Sequence, residues 1–442
     1  MKIVAKVGPA VQRLFGKIAQ TAAEASGVIV RLRKFDGRSL AQTFVLGFLQ
    51  NPEASDEELA QIAAQCGADV TPQAVDQRHS PALVKFLEEL FRGGVKEIVG
   101  SAKALAPILE RFTNVTLLDS STIALPDSMQ EKFRGCGGSY GGGAAALKLQ
   151  TELDMRSGAL LHVEIEPGRS PDSATNRQHA RRGPGSLRIT DLGYFNTAVF
   201  AAMMVAGEYF LSRLQFGIKV MLGDGTAIDL LPWLAQQSGV FIDQWILLGR
   251  DQRLPCRLIA WRLPQEQANR RRQKLRYEAL RKRGQEPTAE RLAWCDWTIL
   301  VTSVPVEMMT PAEAVVWYRA RWQVELLFKR WKAQGLVGQL SGSTEVRQMV
   351  RVWSRLLAAL VQHWLIVSAA WGDPTKSLSK ACEAVRVFVG RLLAALRGVD
   401  DLERVLADLA TVIAKTCRRN KRSKPGTFEL LNDIDLLDFS LT

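Results

Sequence analysis

The middle of the chain most restricts what it can fold into. From about residue 113 to residue 305, short apolar runs rich in β-branched residues alternate with turn signals, while both flanks carry helical patterns. Val115–Leu118, Ala146–Met155, Ala159–Ile165 and Leu187–Thr190 are strand candidates, with Arg156-Ser157-Gly158 as the turn between the second and third. Ile218–Leu222, Gln244–Leu248, Cys256–Arg262 and Trp297–Thr302 continue the series. Strands in hairpin order, mixed with further helix, describe an α/β or α+β core.

The flanks read differently. Ser55-Asp56-Glu57-Glu58 is a capping box, Thr71-Pro72 and Ser80-Pro81 are two further helix starts, and Gly67 ends the first helix. Helix, glycine turn, short helix and helix is the layout of a helix-turn-helix unit. Its second helix, about Pro72 to His79, would present Gln73, Gln77 and Arg78, types that read base edges in a major groove. An ordinary three-helix scaffold with a solvated face has the same pattern. Beyond Thr310-Pro311 the chain is again helical, with long apolar-periodic stretches at Leu356–Trp371 and Ala384–Ala414.

Charge narrows the partner. The chain has 442 residues, 58 Lys and Arg against 45 Asp and Glu, and a formal net charge of +13. A polyanion is the expected partner, nucleic acid first. An Arg-rich helix from Gln265 to Arg283 and a basic tail from Lys415 to Lys424 carry part of the excess. Each is either a solvated face or a phosphate contact. The cysteines are scattered with no C-x-x-C pair, which argues for a reducing compartment and against a zinc cluster. No secretory signal is visible, and Phe195–Phe210 and Leu356–Trp371 read as buried helices, so a cytoplasmic protein is expected. The glycine-rich run Gly135–Gly143 lacks a G-K-[ST] ending and reads as a hairpin connection rather than a phosphate loop.

Tyr318, Arg321, Glu325, Lys329 and Lys332 follow the Pro311 helix start. At about 100° per residue they share one stripe of a single helix. Asp119 and Asp191 each follow a short apolar strand. The stripe alone could be a solvated face, and each aspartate alone a turn former. Together, three carboxylates beside clustered cations suit phosphodiester cleavage with two Mg²⁺ ions about 3.5–4 Å apart. The neighbouring Arg and Lys would hold the phosphate backbone.

The run WYRARWQVELLFKRWK, with Tyr318-x2-Arg321-x3-Glu325-x6-Lys332, resembles the YREK signature of the DDE transposases of bacterial insertion sequences, family four. LLDSSTIALP around Asp119, ITDLGYF around Asp191, YFLSRL at Tyr209–Leu214 and TILVTSVP at Thr298–Pro305 are similar to that family too, in order over about residues 40 to 430. The resemblance implies a multidomain α/β protein with a ribonuclease-H-like catalytic core interrupted by a β-rich insertion domain. The expected segments are an N-terminal helical domain (1–105), the core in two parts (106–210 and 306–372), the insertion (211–305) and a C-terminal helical domain with a basic tail (373–442). It implies catalytic, metal-binding Asp119, Asp191 and Glu325, and Mg²⁺ as cofactor, as two ions, with Mn²⁺ as a substitute.

The implied reaction is cleavage at the terminal inverted repeats, with a DNA hairpin on the transposon end as in well-studied relatives, then joining of the 3′ ends to target DNA. Tyr318, Arg321 and Lys332 would contact phosphates near the end, and Trp297 would receive a flipped base. The partners implied are double-stranded DNA and a second copy of the chain in a synaptic homodimer, in a bacterial cytoplasm at the nucleoid. A structure-specific nuclease on the same core, or a non-catalytic regulator derived from a transposase, are the alternatives. The second predicts loss of an acid, and all three are present.

Overall fold

The computed structural model describes residues 4–30, 34–137, 143–336, 344–420 and 424–437. Most of the glycine-rich run and residues 421–423 of the basic tail lie outside the described residues. In chain order the elements are α1 (Val4–Arg13), α2 (Ala19–Ser26), α3 (Gly37–Gln50), α4 (Asp56–Gln65), α5 (Pro72–Asp76), α6 (Pro81–Gly94), β1 (Val115–Leu125), β2 (Ala145–Asp154), β3 (Leu160–Pro167) and β4 (Leu187–Thr190). There follow α7 (Thr197–Val205), β5 (Tyr209–Arg213), β6 (Val220–Leu222), β7 (Ala227–Ile228), α8 (Leu230–Ala235), β8 (Ile242–Leu248), β9 (Leu254–Arg262), α9 (Gln265–Arg283), α10 (Ala289–Trp294) and β10 (Trp297–Thr302). The helices α11 (Pro311–Ala320), α12 (Trp322–Ala333), α13 (Glu345–Ala370), α14 (Leu378–Val387), α15 (Val389–Leu396), α16 (Leu402–Thr416) and α17 (Thr427–Asn432) complete them. The chain divides into two compact units.

The first unit holds Met1–Leu105, Asp119–Ser170 and Gln323–Lys421. Its helix starts are locally coded. Ser55 Oγ accepts from Glu58 N at 3.3 Å while Glu58 Oε2 accepts from Ser55 N at 2.8 Å, and Thr71 and Ser80 cap α5 and α6 ahead of a proline. The short helix α5 stops at Asp76, earlier than the expected His79. Its only buried side chain is Val75, so no further apolar turn draws the helix on. The core is built on α13, with α3 and α6 packed against it. By length and composition α13 could cross a membrane, yet 94% of its most apolar window is buried inside the protein, as in a core helix. The stretch Ala384–Ala414, expected as one helix, is three. Gly398 adopts φ +77°, and the Asp401 side chain caps α16 by accepting from Glu403 N at 3.1 Å.

The hairpin β2–β3 also belongs to this unit, antiparallel from Leu147↔Pro167 to Leu153↔Leu160. Gly158 sits at its turn with φ +72°, and a Cβ there would lie 2.4 Å from the Trp371 ring. Only glycine fits. Its carbonyl accepts from His363 Nε2 at 2.7 Å, tying the hairpin to α13.

The second unit holds Ala106–Leu118, Pro171–Trp322 and Arg422–Thr442. Its strands lie in the order β1-β4-β5-β10-β9-β8-β6-β7, and in the first unit the order is β3-β2-β1. Strand β1 is shared, its first four residues in one unit and the rest in the other. β1, β4 and β5 run parallel, and β5, β10, β9 and β8 alternate antiparallel. One face of this sheet is apolar. Phe210, Leu258, Ala260, Ile299 and Val301 pack there with Val199, Phe200 and Met203 of α7, and Phe200 stacks on Phe210 at 4.2 Å. Alternation along β9 and β10 turns Trp261 and Thr298 to the opposite face.

Candidate active site

Asp119 and Asp191 each follow, in sequence, one partner of a single strand pairing. Strands β1 and β4 are parallel with Val115↔Leu187 through Leu118↔Thr190 in register. Asp119 and Asp191 are the residues that follow the last pair. They differ in one respect from the sequence expectation. Asp191 ends its strand, but β1 runs on through Asp119 to Leu125. The reason is the alternating Ser-Ser-Thr-Ile-Ala-Leu sequence, which buries Ile123 and Leu125 and continues the strand beside β2. Asp119 Oδ1 accepts from Ser120 N at 2.8 Å.

The Asp191 side chain does not cap the short helical turn that follows it. Instead Oδ1 accepts from the Tyr318 hydroxyl at 3.4 Å, across 127 residues of sequence. Burial first, and the charge of Asp191 second, hold the Tyr318 phenol protonated well above its usual range. The Arg321 guanidinium lies 5.9 Å from the Tyr318 ring centroid. Tyr318, Arg321 and Asp191 thus form one group in the second unit.

The single polar stripe expected after Pro311 is divided. Helix α11 ends at Ala320 and α12 begins at Trp322. Between them Arg321 N bonds the Tyr318 carbonyl at 3.2 Å, a three-residue step in place of the four-residue ladder. The expected arc therefore holds only within α12. There Glu325, Lys329 and Lys332 share a face, with both lysines exposed and Glu325 half-buried. Val324, Leu327, Phe328 and Trp331 are buried behind them.

The other candidates lie elsewhere. Gln73 and Gln77 are exposed at α5, and Arg78 is half-buried with its guanidinium 5.4 Å from the Phe35 ring centroid. Trp297 opens β10 and packs, half-buried, against the apolar core face of the second unit. Sequence reasoning missed a cavity of about 240 Å³ on the other face, lined by Arg213, Trp261, Arg271, Thr298, Tyr318 and Arg319. The one available signal was that Arg213 and Thr298 lie in the YFLSRL and TILVTSVP segments.

The carboxylates of Asp119, Asp191 and Glu325 are hard oxygen donors of the kind Mg²⁺ takes. Among the described residues, no group of three or more His, Cys, Asp or Glu is gathered around a common point as a metal site. The donor chemistry fits a divalent ion; the gathering of the ligands does not follow from this geometry.

In the second unit a mixed α/β sheet places Asp191 just past the end of a parallel strand, hydrogen-bonded to Tyr318. The model of the family described as transposase DDE domain matches residues 110–361, and the chain belongs to that family. It is a DNA-cleaving and strand-transferring enzyme of the insertion-sequence type, and divalent-metal dependence is general to the family. The chain is 25% identical over 431 residues to the transposase for insertion sequence element IS231B of Bacillus thuringiensis subsp. berliner, covering 91% of this chain and 89% of that protein. It is 24% identical over 341 residues to the transposase for IS1151 of Clostridium perfringens, 70% of each. A putative transposase InsL for IS186A of Escherichia coli (strain K12) is 26% identical over 230 residues, 50% of this chain and 61% of that protein.

Proposed function

We propose that this transposase binds the terminal inverted repeats of its own insertion sequence, cuts the ends with Asp119, Asp191 and Glu325 as the metal-binding acids, and joins the 3′ ends to target DNA. The observation that carries the reading is the hydrogen bond from Tyr318 to Asp191. It links the first residue of the YREK-like signature to an aspartate at the end of a parallel strand. That link supports a family-four member with a ribonuclease-H-like core, as does the parallel β1-β4-β5 order. The five-segment domain arrangement with a β-rich insertion belongs to the same reading.

When bound, Mg²⁺ ions would activate the attacking hydroxyl and stabilise the leaving oxygen. The chain's own contribution is positional. Tyr318, kept protonated, holds the Asp191 carboxylate in one orientation. Arg321, beside the Tyr318 ring, and the exposed Lys329 and Lys332 hold phosphates of the DNA end. Trp297 keeps part of its ring accessible as a platform for a flipped base, the step that a hairpin intermediate would use. Gln73, Gln77 and Arg78 read the repeat, and two copies of the chain hold the two ends at the bacterial nucleoid.

The test is cleavage of a duplex taken from the DNA flanking the coding region. Wild-type protein with Mg²⁺ nicks the repeat end and, given a target plasmid, joins it. Asp119→Asn, Asp191→Asn and Glu325→Gln bind the duplex but lose cleavage by roughly a thousandfold or more. Equal cleavage by any of the three removes that acid from the assignment. Cleavage without joining favours a nuclease over a transposase cycle.

A further inference from the structure

On the sheet face opposite the apolar core of the second unit, Trp261 and Thr298 are register partners across β9 and β10. Leu300, two residues along β10, pairs with Arg213 of β5, so Arg213 shares that face. Arg271 of α9 and Tyr318 and Arg319 of α11 complete a cavity of about 240 Å³, several times the ~30 Å³ one water occupies in the liquid. Two features of its lining are unsatisfied. Trp261 is 7% exposed and Thr298 5%, yet Trp261 Nε1 and Thr298 Oγ1 are buried with no hydrogen-bond partner among the described residues. Buried polar groups of this kind need an explanation, and here both lie in the lining of a cavity that an acceptor could fill.

The second feature is charge. Three arginines face the cavity, no carboxylate lines it, and none of the three is in an ion pair among the described residues. Among the described residues Arg271 donates only to the Trp297 carbonyl, at 3.2 Å. Its neighbours on α9 are engaged outside, Arg270 with Glu266 and Arg272 with Asp296. Burial, and then the nearby positive Arg213, push the Arg271 guanidinium down to about 10. Three like charges around one hollow, with Arg319 exposed at its edge, favour an anion there.

We propose that this cavity is a phosphate-binding pocket, in which Arg213, Arg271 and Arg319 neutralise the group while Trp261 Nε1 and Thr298 Oγ1 donate to its oxygens. Guanidinium forks match phosphate oxygens, and a tetrahedral anion accepts from several directions at once. The phosphodiester of DNA is the occupant, a choice of source that rests on the transposase reading. The pocket shares only the wall residue Tyr318 with the proposed metal acids, since the Tyr318 hydroxyl is turned to Asp191.

The experiment uses full-length protein with ¹⁵N-labelled indoles, the Trp261 resonance being assigned with Trp261→Phe. Sodium phosphate, titrated against chloride at equal ionic strength, and a duplex from the flanking DNA are the two probes. Movement of the Trp261 signal with the duplex supports the proposal. Movement with inorganic phosphate alone keeps the pocket and overturns the DNA source. No movement with either probe overturns the pocket. Arg271→Gln weakens duplex binding by about tenfold, the lower end for a charge-assisted hydrogen bond, and lowers the slope of log K against log salt by about 0.9. Thr298→Val, which removes an unsatisfied hydroxyl, raises hydrogen-exchange protection of the β9 and β10 amides in the free protein while weakening phosphate binding. A purely structural Thr298 would give no loss of phosphate binding. Failure of the transposase reading is seen separately, as absent end cleavage with the Trp261 response intact.

Discussion

Replacing Arg257 by leucine should loosen the segment that leads into the site. Arg257 is 1% exposed on β9. Its Nε and Nη2 donate to Asp243 Oδ1 and Oδ2 at 3.0 and 2.6 Å, a fork across β8 and β9. Its Nη1 donates to the Val304 and Met309 carbonyls at 2.8 and 2.9 Å. Met309 precedes Thr310, whose side chain caps α11, the helix of Tyr318. Breaking a buried pair from one side costs about 3–5 kcal/mol. The Asp243 side chain is 24% exposed, so water recovers part of this, and the leucine regains about 1–2 kcal/mol of apolar burial. The two carbonyls lose donors at about 1 kcal/mol or more each. A net loss of about 3 kcal/mol follows, a large share of the 5–15 kcal/mol typical of a domain.

Because the chain has two units, a single global melt is a poor measure. Hydrogen exchange of the β8 and β9 amides reads the local opening directly. Protection should fall by about two orders of magnitude at 3 kcal/mol. Arg257→Leu with Asp243→Leu should recover much of it, because no lone charge remains buried. End cleavage should fall with the single change. Protection within about fivefold of wild type for Arg257→Leu would refute the clamp.

Three further outcomes are expected. Tyr318→Phe removes a long hydrogen bond to Asp191, worth about 0.5–1.5 kcal/mol, so cleavage at limiting Mg²⁺ should drop roughly three- to tenfold; the wild-type rate should show no loss from phenol ionisation up to about pH 10, and an alkaline limb removed by the change would contradict this. His363 is buried neutral with its pKa pushed down to about 3 by burial, so the unfolded chain binds the proton first: its contribution is complete above about pH 6.5 and is lost as pH falls toward 3, at about 1.4 kcal/mol per pH unit. His363→Gln should flatten the stability curve between pH 7 and 5, and identical slopes would refute it. Gln73→Ala with Gln77→Ala should reduce preference for the repeat over random duplex by about 1–3 kcal/mol per base contact, with an unchanged salt slope; an unchanged preference would return α5 to a scaffold role.

Much of the framework was legible because its causes are local. Ser55, Thr71, Ser80 and Thr310 start helices through bonds that close within one turn, so a few adjacent residues suffice to read them. Leu187–Thr190 and Trp297–Thr302 announced their strands by composition. The break at Arg321 was not legible. Nothing in WYRARWQVELL marks where a four-residue ladder yields to a three-residue step, because each residue there tolerates helix. The extension of β1 past Asp119 was equally hidden, since the polar Ser120, Ser121 and Thr122 look like a turn until the strand β2 is beside them.

By itself, then, the sequence determined the helical flanks, the strand-rich centre, the acids and the YREK-like residues that carry the family resemblance. Only the tertiary structure decided which of these meet. The Tyr318–Asp191 bond, the Arg257 clamp and the arginine-lined cavity all join side chains from separate elements. Strand register and helix packing set those distances. Both are summed over many weak contacts along the chain, so no short stretch of residues contains them.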